Sequence, residues 1–293
     1  MAINIAINVE KGGSGKTTLG INLAYWLSKM GYRVLYCDND SSSNATSILL
    51  NDEFDFIKAG EKFREVRHGK VATDTDSIIE VLEALKSVMP KVDLKKDIHD
   101  VLEDRIPIWE AIQPTKYDNL SILGSTSALS GTDTVLKGNL NPFKLRDALV
   151  SVDKEFDFIL IDNQAFENAL TISSISACYR PNDVVLIPVK IDSGGIEGLY
   201  TTGLNAAKFT KAFNLQCQIK FVVNMKNRTK ADSFWIECLK EALGDTMLDT
   251  VIRYQAAPVV SSSLNRKIVS ETKKNVSNDY QNLAKELVHK LNI

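Results

Sequence analysis

Hydrophobic residues in this chain fall into short continuous runs separated by segments of helical period. Residues 2–9, "AINIAINV", form an apolar, β-branched run that predicts a strand. The run passes directly into a glycine-rich stretch, "EKGGSGKTT" (10–18). Beyond it Leu19, Leu23, Trp26, Leu27 and Met30 recur at helical spacing, and Gly31 supplies a stop. "YRVLYCD" (32–38) and "FDFILID" (156–162) predict further strands, each ending on a carboxylate, and "VVLIPV" (184–189), "CQIKFVVN" (217–224) and "MLDTVI" (247–252) predict more. Apolar strands alternating with helices predict an α/β fold, a mostly parallel sheet flanked by helices on both faces.

Polar residues collect where these strands end: the loop at 10–18, Asp38 and Asp40, Asp162, and Asn224. Open α/β sheets bind ligands along that edge, so residues far apart in sequence are expected to converge there. The usual phosphate loop is G-x-x-x-x-G-K-[ST], whose backbone N–H groups surround phosphates while its lysine reaches the outer oxygens. Counting back from Gly15-Lys16-Thr17, the leading glycine is replaced by Glu10, and a second lysine stands at position 11. Lys16, the loop N–H groups and the helix N-terminus are predicted to hold phosphates, and the Thr17 hydroxyl to ligate magnesium. Asp162 is placed to reach that magnesium through water, and Asp38 and Asp40 are both offered for positioning an attacking water.

Composition narrows the class. With 293 residues, 44% hydrophobic and 25% charged, the chain reads as one globular domain. Its four cysteines, Cys37, Cys178, Cys217 and Cys238, are widely spaced, and three histidines form no cluster, so neither a zinc site nor a disulfide framework is indicated. No apolar run approaches a membrane span and no leader pattern opens the chain, which predicts a cytoplasmic protein. Residues 51–104 hold fourteen acidic against nine basic side chains and a helix-like run at 77–89, read as a charged helical excursion.

The sequence resembles the ParA family of deviant phosphate-loop ATPases, relatives of MinD, over most of its length. The family pattern K-G-G-x-G-K-T-T is met by Lys11, Gly12, Gly13, Ser14, Gly15, Lys16, Thr17 and Thr18. "DNDSSSNAT" (38–46) resembles the D-x-D-P-Q-G-N-A-T segment, with three serines for Pro-Gln-Gly. "IWEAIQPTKYDNLSIL" (108–123), "VLIPVKIDSGGIEGL" (185–199), "VVNMKNRT" (222–229) and "LDTVI" (248–252) are similarly placed. The resemblance implies ATP and Mg2+ as ligands, with Thr17, Asp38 and Asp162 on the metal side. It further implies Asp40 as the water-positioning residue and Asn224 and Met225 beside the nucleotide. It implies that Lys11 acts in trans, touching phosphates bound by the other subunit of an ATP-sandwiched homodimer. Two departures stand out: Asn163-Gln164-Ala165 replaces a Pro-Pro segment after Asp162, and Glu10 adds a negative charge that fits slow or partner-dependent hydrolysis.

Net charge is only -2, but it is segregated. No acidic residue occurs from Gly198 to Ala231, where Lys208, Lys211, Lys220, Lys226, Arg228 and Lys230 lie, and Arg253, Arg266 and Lys267 fall in a second acid-free stretch. Such a surface predicts nonspecific binding to double-stranded DNA, as the family resemblance also implies. A helical apolar pattern at 280–291 is expected to pack on the domain, although in MinD-like relatives a terminal helix binds membrane. The reading is a cytoplasmic, nucleoid-associated partition ATPase of the short form, without an operator-binding domain, stimulated by a centromere-binding, ParB-like adaptor, with no membrane partner. The rival is a MinD-like or cargo-positioning ATPase; a ligase using the same loop and an iron–sulfur reductase fit less well.

Overall fold

The computed structural model describes residues 1–293 except 11, 52–53, 91–92, 140, 166–167 and 273. Its strands are β1 (Ile3–Ile7), β2 (Val34–Asn39), β3 (Ile112–Pro114), β4 (Leu120–Leu123), β5 (Phe158–Asn163), β6 (Val184–Val189), β7 (Gln218–Lys226) and β8 (Met247–Arg253). They form one sheet in the order β3-β4-β2-β5-β1-β6-β7-β8. Among the described residues only the β3–β4 pair at the edge is antiparallel. This is the α/β sheet expected from the sequence. β3 and β4 add two strands that periodicity does not predict, because three or four residues are too few to establish alternation.

The helices are α1 (Lys16–Lys29), α2 (Asn44–Leu50), α3 (Phe56–Val66), α4 (Thr75–Val88), α5 (Ile98–Leu102), α6 (Leu129–Asn139), α7 (Lys144–Val150) and α8 (Ala169–Ala177). They continue with α9 (Ser193–Ala212), α10 (Lys230–Leu243), α11 (Ala256–Leu264) and α12 (Asn275–Lys290). Alternation along the central strands assigns the two faces. Ile5, Ile7, Tyr36, Phe158, Leu160 and Leu186 form one core with α1 and α12. Their neighbours Ala6, Leu35, Cys37, Ile159, Ile161, Val185 and Ile187 face the other way, into two cores closed by helices including α5, α8 and α9.

α12 buries Tyr280, Leu283, Ala284, Leu287 and Leu291 against the body, chiefly on β8 and α1. The apolar face of that helix is therefore spent on packing. No helix among the described residues is long and apolar enough to cross a membrane. The charged excursion is helical, yet its far end, α5, buries Ile98, Val101 and Leu102 in the core.

Candidate active site

The strand-end residues meet because β1, β2 and β5 are adjacent and parallel. Register pairs Ile7 with Asp162 and Asp38 with Asp162. Both aspartates point to the face covered by α1, whose first turn carries Lys16 and Thr17. The loop between β1 and α1 turns at Gly13 and Gly15, each with φ +77°. At Gly15 a side chain would also meet the Met225 methyl at 2.7 Å and the Asn224 amide at 2.9 Å, so position 15 admits only glycine. Asn224, at the end of β7, donates to the Ser14 carbonyl over 2.7 Å, and Met225 beside it adopts φ +58°. Loop and β7 are thereby locked together. Thr18, in the first turn of α1, accepts from Asn22 through its backbone carbonyl.

Lys16 is buried, and burial lowers its pKa while the charges of Asp162 and Asp40 pull it back up. Asp162 is fully buried, and among the described residues neither carboxylate oxygen has a hydrogen-bond partner. Burial pushes its pKa up to about 6, against the opposing pull of Thr17, Lys16 and Tyr36. The Thr17 and Tyr36 hydroxyls approach the carboxylate closely enough to favour its charge, but neither completes a well-aligned hydrogen bond, and the Tyr36 hydroxyl itself has no partner.

Asp38 is also fully buried. Its Oδ2 accepts from the Thr46 amide at 2.8 Å and the Thr46 hydroxyl at 2.6 Å, whereas its Oδ1 has no partner. Burial, and then the charge of Asp162, push its pKa up to about 7. Unpartnered carboxylate oxygens in a dry site demand a cation or a proton. Two buried carboxylates beside a threonine hydroxyl and a phosphate loop fit magnesium, which takes one or two carboxylates and completes its shell with water and phosphate.

Asp40 lies half-buried just beyond β2. Its side chain accepts from the Ser42 amide at 2.8 Å, while its carbonyl accepts from the Ser125 hydroxyl at 2.7 Å. The Asn44 amide donates to the Ser42 hydroxyl and Ser43 adopts φ +53°, so the three serines supply the turn that Pro-Gln-Gly would otherwise build. Ser125, which follows β4, also donates its amide to Thr46, joining this turn to the Asp38 clamp.

Glu10 is turned toward α9. Its carboxylate accepts from Asn205 at 2.8 Å and its amide donates to Thr202. Lys11 lies outside the described residues, as does part of the segment after Ala165.

Behind the aspartates, Asn39 and Asn163 pair across the strands on the opposite sheet face. Asn39 Nδ2 reaches Asn163 Oδ1 at 3.0 Å, the Ser174 hydroxyl at 2.9 Å and the Leu170 carbonyl, and Asn163 donates to the Ile7 carbonyl. Each asparagine directly follows a site aspartate, so the pair ties both acids to α8 and β1. Sequence reasoning flagged Asn163 only as a departure and missed Asn39, Ser125 and Tyr36. An amide at the buried end of each of two apolar strands was the available signal.

The basic residues do not share one surface. Lys226, Arg228 and Lys230 line a single open concavity with Thr229, Ser233, Phe234 and one acid, Glu237, on the nucleotide-site edge of the sheet. Lys208 and Lys211 lie near the end of the 20-residue α9, a helix about 30 Å long that runs back to the opposite edge. Arg253 is bidentate to the buried Asp279, at 2.6 and 2.8 Å. Lys267 borders Thr18 and Asn22, and Arg266, beside it, has φ +52°.

The raised carboxyl pKa values carry a sign. Asp162 ionises near pH 6 in the fold and near 3.9 in the unfolded chain, so folding must bury a charge once pH exceeds about 6. The stability attached to this group is fully present at low pH and is lost as pH rises toward 6. Between pH 5 and 8 the nucleotide-free protein is expected to lose on the order of 1 kcal/mol relative to its Asp162→Asn variant. Parallel urea melts at the two pH values check this; an unchanged difference would contradict the buried, unpartnered carboxylate.

The AAA domain family matches residues 2–219 of the chain. The sporulation initiation inhibitor protein Soj of Bacillus subtilis is 28% identical over 291 residues, 97% of each chain. The chromosome partitioning protein ParA of Myxococcus xanthus is 33% identical over 67% of this chain and 54% of its own, and the cell division protein PomZ of the same organism 26% over 96% and 76%. Among solved structures, apo McdA of Cyanothece superposes with a TM-score of 0.73 at 18% identity, covering 98% of this chain and 100% of that one. A Borrelia burgdorferi putative plasmid partition protein bound to AMPPNP gives 0.71 at 21%, covering 99% and 100%. The phosphate loop, the two strand-end aspartates and these likenesses place the chain in the AAA domain family, among the ParA and Soj partition ATPases.

Proposed function

We propose that this protein is a partition ATPase that binds Mg-ATP, closes into a nucleotide-sandwiched homodimer, and in that state binds double-stranded DNA without sequence preference. The observation that carries the reading is the pair of buried, unpartnered carboxylates at Asp38 and Asp162 beside the buried Lys16. Lys16 and the loop amides bind the phosphates; Thr17, Asp38 and Asp162 hold magnesium, which supplies charge neutralisation at the phosphates. Asp40 orients the attacking water. Asn224 and Met225 border the nucleotide, and Lys11 reaches the partner's phosphates, so that assembly follows nucleotide state.

DNA is assigned to the concavity of Lys226, Arg228 and Lys230, because β7 leads into it directly from the Asn224 contact with the phosphate loop. A change at the loop thus has a short covalent route to the basic surface. Lys208, Lys211 and Arg253 contribute less, the lysines by distance and Arg253 by its pairing with Asp279. A centromere-binding adaptor stimulates hydrolysis and releases the protein from the nucleoid. The likeness to PomZ supports a second reading, a cell-division or other cargo-positioning ATPase with the same cycle.

The test is binding to duplex DNA of arbitrary sequence with ATP, ADP or no nucleotide across a salt series. Binding is expected only with ATP, and to weaken roughly 10- to 1,000-fold between 50 and 200 mM salt for a few phosphate contacts per subunit. Lys11→Ala should abolish it while ATP binding remains. Lack of binding in every state would reject the DNA cycle and favour a protein cargo.

A further inference from the structure

The excursion after α2 carries an apolar surface that the rest of the fold leaves uncovered. α3 and α4 make their main contacts with each other as an antiparallel hairpin. Ala59 and Val88 are buried, and Lys70 pairs with Glu80 near the turn. α4 begins on a full capping box at Asp74 and Ser77, so it is a well-specified helix. Along its outer side Ile78, Ile79, Leu82 and Leu85 recur at helical spacing and are 47%, 50%, 57% and 41% exposed. Such a stripe has the pattern of a helix-packing seam.

Charge on the hairpin is divided between its two helices. Residues 56–70 hold five basic and two acidic side chains, and residues 74–88 hold four acidic and one basic. The hairpin is therefore a positive helix beside a negative one, with net charges of equal size. A two-fold axis that lays α4 of one copy on α3 of the other matches opposite charges twice and buries both stripes at the centre. We propose that the α3–α4 hairpin is a homodimerisation arm, joining two copies of this chain in a four-helix bundle that needs no nucleotide. A membrane surface is a poorer occupant, because residues 74–88 carry four acidic side chains against one lysine where lipid binding calls for lysine and arginine. The arm lies outside the nucleotide site, so two copies stay paired after hydrolysis opens the sandwich.

Sedimentation of the full chain without nucleotide, from about 1 to 100 µM, reads the association directly. A reversible dimer is expected, weakened roughly tenfold or more by Ile79→Asp with Leu82→Asp while circular dichroism is retained. Two further variants test the charge pairing: Asp76→Lys with Glu83→Lys, and Lys58→Glu with Lys62→Glu. Each alone should lose the dimer, and an equimolar mixture should regain it, since the altered helices are then complementary. A monomeric wild type, a dimer indifferent to the stripe substitutions, or a mixture that fails to associate would each overturn the proposal.

Discussion

Lys16→Ala is expected to weaken ATP binding by about 10- to 100-fold and to bring ATP turnover below detection. The lysine is buried despite its charge, and its desolvation is only partly offset in the free protein by the neighbouring Asp162 and Asp40. Its removal takes away the proposed phosphate ligand and the charge of Lys16 beside the two unpartnered oxygens of Asp162. Lys16→Arg should restore little, because the guanidinium is larger and Lys16 stands in a buried position. Titration with a fluorescent ATP analogue separates the outcomes; near-native affinity in Lys16→Ala would contradict the assignment of the phosphate site.

Asp40→Ala is expected to reduce adaptor-stimulated turnover by about 100- to 10,000-fold, with ATP affinity changed by less than about threefold. Its exposure separates it from the other two acids: it is half-buried and, among the described residues, its Oδ1 accepts from the Ser42 amide, while Asp38 and Asp162 are fully buried in the sheet. The loss should therefore appear in kcat and leave binding intact. The ATP-bound dimer should accumulate in this variant, visible as stable DNA binding that ADP-bound wild type does not show. Retained turnover would assign the water to another group, with Asp38 the nearest alternative. The clamp on Asp38 argues against that exchange, since Thr46 occupies one of its oxygens with two hydrogen bonds.

The Asn39–Asn163 pair changes how the two acidic segments are viewed. Sequence comparison marks Asn163 as the place where a Pro-Pro segment is missing. In the fold its amide is part of a buried network joining β2, β5, β1 and α8. The departure is thus compensated by a partner 124 positions away that no local pattern connects to it. Glu10 is a similar case: its charge sits beside the phosphate loop in sequence, but Asn205 holds the carboxylate against α9.

The sequence by itself determined the strand–loop–helix unit at residues 2–30, the central parallel strands and the two carboxylates that end them. Those features follow from local rules, since continuous apolar runs, a glycine-rich turn and a polar residue at a strand end are each written within a few positions. It also determined that Asp38, Asp40, Asp162 and Asn224 belong to one edge, because parallel strands point their ends the same way. Only the tertiary structure decided which charges act together. Lys208 and Lys226 are 18 positions apart and both basic, yet the intervening helix returns the chain to the far edge before β7 brings it back. Arg253 reads as a free cation until α12 places Asp279 beneath it. Lateral neighbours across a sheet or between helices are fixed by strand order and packing, which no single stretch of sequence contains.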